Sequence, residues 1–199
     1  DFAGRKATKT IDGQTLTGWF TEDFTLAELK TLRARERLPQ LRPGNTAWRD
    51  EAIVTLDELI DFARARGRGV VAEIKHSSYF AGIGLPIEAR LVETFARHGW
   101  SKRGDPVWIE SFEVKNLKAL RGVSGLKLVQ LLEAKSAPAD GGADSYAAMA
   151  TPEGLKTISA YANAIGPAKA LIVPRDADGR SLPPTRLVAD AHAAGLKVI

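Results

Sequence analysis

Cysteine is absent from the sequence, which excludes disulfides, thiolate metal sites and a thiol nucleophile. That absence is compatible with the cytosol and with the periplasm. No apolar run approaches the roughly 20 residues that a helical membrane span needs. Residues 1–20, DFAGRKATKTIDGQTLTGWF, lack the apolar stretch of a secretory signal. A processed chain would lack one as well, so export stays open. Histidine is scarce, at His76, His98 and His192, and no Ser/His/Asp constellation can be assembled from them. The net charge of +4 is small. The densest basic stretch, RARERLPQLR at 33–42, has no aromatic residues interleaved for stacking on bases. It reads as a solvated helix face, and nucleic acid is not an expected partner.

What is present is an ordinary globular composition, 44% hydrophobic and 26% charged over 199 residues, enough for one domain or a large part of one. TLAE at Thr25–Glu28 and TLDE at Thr55–Glu58 fit the capping box. The first predicts a helix carrying Leu26, Leu29 and Leu32; the second predicts one carrying Leu59, Ile60 and Ala63 that stops near Gly67. The turn formers of LPQLRPGNTAWRDEAIV predict irregular structure between them. Strands follow at VVAEIK, PVWIESF and LKLVQLL, with helices at about 86–98, over EVKNLKALRG, and over TPEGLKTISAYA. Residues 133–150 predict a long loop. In NAIGPAKALIVP, both NAIG and ALIVP have the look of a strand. PTRLVADAHAAG predicts a helix, and LKVI a strand that the chain does not finish.

Strand and helix alternate with connections too long for hairpins, so the fold class is α/β with a parallel sheet, either doubly wound or a barrel. No Gly-rich phosphate loop follows the first strand of this series, which disfavours a dinucleotide-binding fold. In a barrel, chemistry sits at the C-terminal strand ends. Glu73 and Lys75 lie at such an end, as do Glu110, Ser111 and Gln130. Val71, Glu73 and Lys75 share one face by strand alternation. Burying that charge pair would cost several kcal/mol unless a salt bridge, a metal or an anionic substrate offset it. Glu73 reads either as an internal ion pair with Lys75 or as an oxygen ligand for a hard divalent cation. His76 points to the opposite face if the strand persists, and His98 and His192 fall late in helices.

VVAEIKHSSYF, GLPIEARLVETFARHGW, VWIESFEVKNLKAL, LKLVQLL, YANAIGP and LVADAHAAGLKVI together resemble the glycerophosphodiester phosphodiesterase family, with the closest likeness to its bacterial periplasmic type. The upstream TIDGQTLTGWFTEDFTLAELKTLRARERLP is similar to the same type. The resemblance implies a TIM (β/α)8 barrel, here partial, of about strands 4 to 8 with their helices. It implies hydrolysis of glycerophosphodiesters to glycerol 3-phosphate and an alcohol, with Ca²⁺ or Mg²⁺ and a histidine pair as acid and base. Glu73 matches the metal-binding glutamate and Lys75 the catalytic lysine beside the phosphate. Lys75, Glu110, Ser111 and Gln130 are the expected substrate-binding residues. At the Ser-Phe strand the family commonly has Gln where this chain has Glu110. The family's His-Arg-Gly, Glu-x-Asp and His-Asp motifs do not occur in these residues. Residues 1–199 are therefore expected to form a single domain truncated at both ends and inactive alone. The implied partner is a small-molecule glycerophosphodiester, and the implied compartment is the periplasm or outside the cell, otherwise the cytoplasm; no oligomeric state follows. The rivals are a non-catalytic barrel that binds a phosphodiester or a protein, and a barrel enzyme acting on a phosphorylated sugar, for which AIGPAK is a faint phosphate cradle.

Overall fold

A computed structural model describes residues 2–199, which divide into two compact units at Phe62 and Ala63. The first unit contains a hairpin beyond the expected elements. β1 (Ala7–Ile11) pairs antiparallel with β2 (Gln14–Gly18), Ile11 opposite Gln14. The two turn residues, Asp12 at φ 50° and Gly13 at φ 76°, are both left-handed. This is the mirror-image turn whose twist suits a hairpin, and an Asp-Gly pair between alternating residues is its sequence signal.

The Thr25 capping box forms as expected, but α1 (Leu26–Leu29) is a single turn rather than a helix reaching Leu32. A helix survives in water by burying an apolar stripe, and both Leu26 and Leu32 are exposed. The chain turns instead to bridge Arg33 with Ala52. Arg5 forks onto both carboxylate oxygens of Glu28 at 3.0 and 2.6 Å. That guanidinium and the Thr25 amide lower the Glu28 carboxyl from the ordinary 4.5 to about 2. A depressed folded-state value gives stability that is fully present above the unfolded value and is lost as pH falls through the folded one. Urea midpoints should therefore decline as pH drops from about 4.5 toward about 2. Glu28→Gln should flatten that part of the acid limb; an unchanged pH profile would disconnect Glu28 from it.

The boundary between units falls within α2 (Leu56–Arg64), capped by the expected Thr55–Glu58 box. The second unit holds a five-stranded parallel sheet of β3 (Val70–Glu73), β4 (Val107–Ser111), β5 (Lys127–Leu132), β6 (Ala164–Pro167) and β7 (Lys197–Val198). Spatial order follows chain order, β3-β4-β5-β6-β7. A doubly wound sheet would reverse its strand order at a switch point; this one does not, and the partial-barrel expectation holds. The intervening helices are α3 (Ser77–Gly82), α4 (Glu88–Arg97), α5 (Lys115–Val123), α6 (Tyr146–Met149), α7 (Pro152–Ser159), α8 (Lys169–Ile172) and α9 (Leu187–Ala193).

The parallel register sets the two faces. Ile109 pairs with Leu128, and Ser111 with Gln130, which in turn pairs with Ile165. These residues form the face covered by helices, where Phe95, Leu117, Leu120, Leu155 and Ile158 are fully buried. The opposite face carries Glu73 beside Glu110, then Val129 and Ala164. Gly69 ends the approach to β3; a β-carbon there would lie 2.1 Å from the Pro106 carbonyl oxygen, so only glycine lets β3 meet β4.

The NAIGPAKALIVP segment resolves into β6 and the one-turn α8. Residues 133–150 are mostly loop, as expected, but include α6. From this loop Asp140 accepts the amides of Val114 and Lys115 at 2.9 and 2.6 Å, capping the start of α5.

Candidate active site

β3 ends at Glu73, earlier than VVAEIKHSSYF suggests. Ile74 still donates to the Glu110 carbonyl at 2.8 Å. The chain then turns sharply at His76, whose φ of 58° and ψ of 39° are left-handed, and enters α3 at Ser77. The expected burial of Glu73 and Lys75 is not observed. Both stand on the sheet face opposite the helices, with side chains 34% and 62% exposed, and their nearest N–O distance is 4.0 Å. An exposed pair at that separation contributes about 0–1 kcal/mol, too little to explain why a strand should end this way.

Glu110 gives the face its chemistry. It lies directly across from Glu73 in the β3–β4 register. Burial first, and the Glu73 charge second, push its carboxyl above the ordinary value. Two carboxylates side by side with a lysine two residues on form an electrostatically unfavourable arrangement that a cation would relieve. Oxygen donors of this kind suit Ca²⁺ or Mg²⁺. Among the described residues no group of three or more His, Asp or Glu side chains forms a complete metal cage. Glu73 and Glu110 are two such donors, fewer than a hard divalent cation takes.

Ser111 and Gln130 lie on the other face, fully buried. Ser111 Oγ accepts the Glu113 amide at 3.1 Å and Asn116 Nδ2 at 2.9 Å. Gln130 Nε2 donates to the carbonyls of Ser111, Phe112 and Leu131 at 3.1–3.2 Å, and its Oε1 accepts the Tyr161 hydroxyl at 2.8 Å. Tyr146 also donates to the Phe112 carbonyl, at 3.2 Å. A polar network thus runs beneath the strand ends while Glu73, Lys75 and Glu110 stand above them. Glu113, whose carboxylate accepts the Ser78 amide at 3.0 and 3.2 Å, belongs to this network and was not anticipated. Its only sequence signal is its place at the close of the ESFE stretch, where it reads as a helix start. A cavity of about 470 Å³ in the first unit, walled by Phe2, Trp19, Phe20 and Phe24 among others, is lined by no ionisable side chain and supplies no acid, base or ligand.

A parallel α/β sheet in chain order defines a barrel-type protein, and it gathers two carboxylates and a lysine at the C-terminal strand ends. The family model described as glycerophosphoryl diester phosphodiesterase matches residues 4–199, and the chain belongs to that family. It is 32% identical over 220 residues to the glycerophosphodiester phosphodiesterase GDPD6 of Arabidopsis thaliana, covering all of this chain and 56% of that protein. A crystal structure from Agrobacterium tumefaciens, assigned as a glycerophosphoryl diester phosphodiesterase, superimposes with a TM-score of 0.59 at 22% identity. That alignment covers 98% of this chain and 63% of the other, and it supports the fold. The chain spans little more than half the length of the curated relative.

Proposed function

We propose that the complete protein hydrolyses glycerophosphodiesters to glycerol 3-phosphate and an alcohol, with the mouth formed by Glu73, Lys75 and Glu110 as part of its active site. The observation that carries this reading is the juxtaposition of Glu73 and Glu110 at the ends of β3 and β4, within a chain of this family. Glu73, joined by Glu110, would hold a divalent cation, Ca²⁺ or Mg²⁺. Bound there, the cation would offset negative charge on the phosphoryl oxygens.

Lys75 presents an ammonium to the same oxygens as a point charge with three donors. Its weak tie to Glu73 leaves those donors available for substrate. Glu110 sets the local potential where the family commonly places a neutral Gln, and draws charge toward the mouth. Ser111 and Gln130 contribute from below, by fixing the strand ends against which a diester rests. The proton for the departing alkoxide would come from the histidine pair that the resemblance implies. Likeness to the bacterial periplasmic type supports a periplasmic or secreted protein. Among the described residues no helix is long and apolar enough to cross a membrane.

The test is hydrolysis of glycerophosphocholine by the complete protein with and without added Ca²⁺ or Mg²⁺. Cation-dependent release of glycerol 3-phosphate supports the reading, and diester binding without turnover would favour the non-catalytic barrel. Within an active protein, Lys75→Ala should lower kcat/KM by about 10²-fold, the scale for losing one preorganised contact to developing charge. The circular dichroism spectrum should be unchanged, because the lysine is exposed. Kinetics indistinguishable from the parent would remove Lys75 from the site.

A further inference from the structure

We propose that Glu113 is a positioning residue for Glu73 and Lys75, acting by clamping the left-handed turn at His76. The inference rests on the reading of the mouth given above, and extends it to a residue that touches neither cation nor substrate.

The clamp has two jaws, one within β4 at Glu110 and one just beyond it at Glu113. At one end the Ile74 amide donates to the Glu110 carbonyl at 2.8 Å. At the other the Ser78 amide donates to both Glu113 carboxylate oxygens, at 3.0 and 3.2 Å. Only Lys75, His76 and Ser77 lie between. A left-handed conformation at His76 is one that a β-carbon disfavours, so it persists where the surroundings impose it. The carboxylate is placed to impose it. Glu113 is itself fixed, since it is only 4% exposed and its amide donates to Ser111 Oγ, which also accepts from Asn116. A second tie, from Ser77 Oγ to Glu88, holds the same turn from α4.

Burying a carboxylate is expensive unless it is hydrogen-bonded. A cap on a helix as short as α3 could be supplied by an exposed Ser or Asp. What the buried position adds is rigidity relative to Glu110. Glu73 and Lys75 leave the chain next to one jaw, and the distance between the jaws decides where Lys75 points. Without the carboxylate, the turn loses its restraint from the β4 side, His76 shifts toward an ordinary right-handed or extended conformation, and Lys75 moves away from Glu73 and Glu110.

The experiment compares Glu113→Ala, Glu113→Gln, Glu113→Asp and the double variant Glu113→Ala/His76→Gly in the complete protein. The readouts are Ca²⁺ affinity by calorimetry, kcat and KM on glycerophosphocholine, and hydrogen exchange of the Ser78 amide. Loss of an outer partner of a metal site typically costs about 10–100-fold in affinity or activity. Glu113→Ala should fall in that range, mainly in kcat and Ca²⁺ affinity, with faster Ser78 exchange. Glu113→Gln keeps an acceptor oxygen at the same reach and should stay within about threefold of the parent. Glycine adopts the left-handed turn at no steric penalty, so adding His76→Gly should recover most of the loss. A merely structural role would give no such rescue.

A folded Glu113→Ala with parental affinity and kcat, or a Glu113→Gln as damaging as it, overturns the proposal. If Glu113→Ala does not fold, the decision passes to Glu113→Asp against Glu113→Gln. The shorter acid must lose affinity while the amide keeps it, and equal values overturn the role. A parent that neither binds Ca²⁺ nor hydrolyses the diester overturns the reading of the mouth itself. A parent that does both, beside indifferent Glu113 variants, overturns only the clamp.

Discussion

Replacing Glu73 by glutamine is expected to weaken divalent-cation binding and to depress turnover of the complete protein by about 100-fold or more, equivalent to about 2.7 kcal/mol of transition-state stabilisation. The substitution keeps the shape and removes one formal charge from a pair of carboxylates set opposite each other on β3 and β4. The rival explanation of Glu73, a structural ion pair with Lys75, makes the opposite prediction. It requires a loss of folding stability with catalysis spared. At 4.0 Å, with the lysine side chain 62% exposed, that pair has little stability to lose. In the absence of cation the variant should unfold at the same or a higher denaturant concentration than the parent, because Glu110 is relieved of a like-charged neighbour. Calorimetric titration with Ca²⁺ or Mg²⁺, steady-state kinetics and urea unfolding on the same preparations separate the two. Lower stability with unaltered cation affinity would return Glu73 to a structural role.

The second large effect is expected beneath the mouth. Gln130→Leu should lower the free energy of unfolding by about 2–4 kcal/mol, because each buried polar group left without a partner costs about 1–3 kcal/mol. Leucine fills nearly the same volume, so packing changes little. What is lost is the amide that serves the carbonyls of Ser111, Phe112 and Leu131 and accepts the Tyr161 hydroxyl. That hydroxyl is buried, and burial pushes its titration upward, so ionisation cannot relieve it. Tyr161→Phe in the Gln130→Leu background removes the orphaned group and should recover part of the deficit, a coupling that a double-mutant cycle by urea unfolding measures. A Gln130→Leu protein of parental stability but raised KM would instead make Gln130 a direct substrate contact.

These two residues show where the sequence was readable. Glu73, Lys75, Glu110, Ser111 and Gln130 were all visible as polar residues ending apolar strands, and alternation placed Glu73 and Lys75 on one face. Alternation could not say that Ser111 and Gln130 face the helices while Glu110 faces the mouth, since that depends on which strands pair and in what register. The Asp12-Gly13 hairpin is legible in the sequence, because its Thr-Lys-Thr-Ile and Gln-Thr-Leu-Thr flanks carry the alternation that a hairpin needs. The leucine spacing after Thr25 erred in the other direction. A helical period predicts a helix only if something buries its stripe, and here Leu26 and Leu32 stay exposed.

The sequence by itself determined the alternation of strands and helices, the parallel α/β class, the capping boxes at Thr25 and Thr55, and the family likeness carried by its strand-end motifs. These are local properties, set by periodicity, turn chemistry and the order of residues along the chain. Only the tertiary structure decided that Glu73 would stand opposite Glu110 and that Glu113 would reach the Ser78 amide 35 residues away. Such pairings arise when separate strands come into register. The free energy that selects the register comes from the helix-covered face, where Ile109, Leu128 and Ile165 pack, and not from the charged residues that the register brings together.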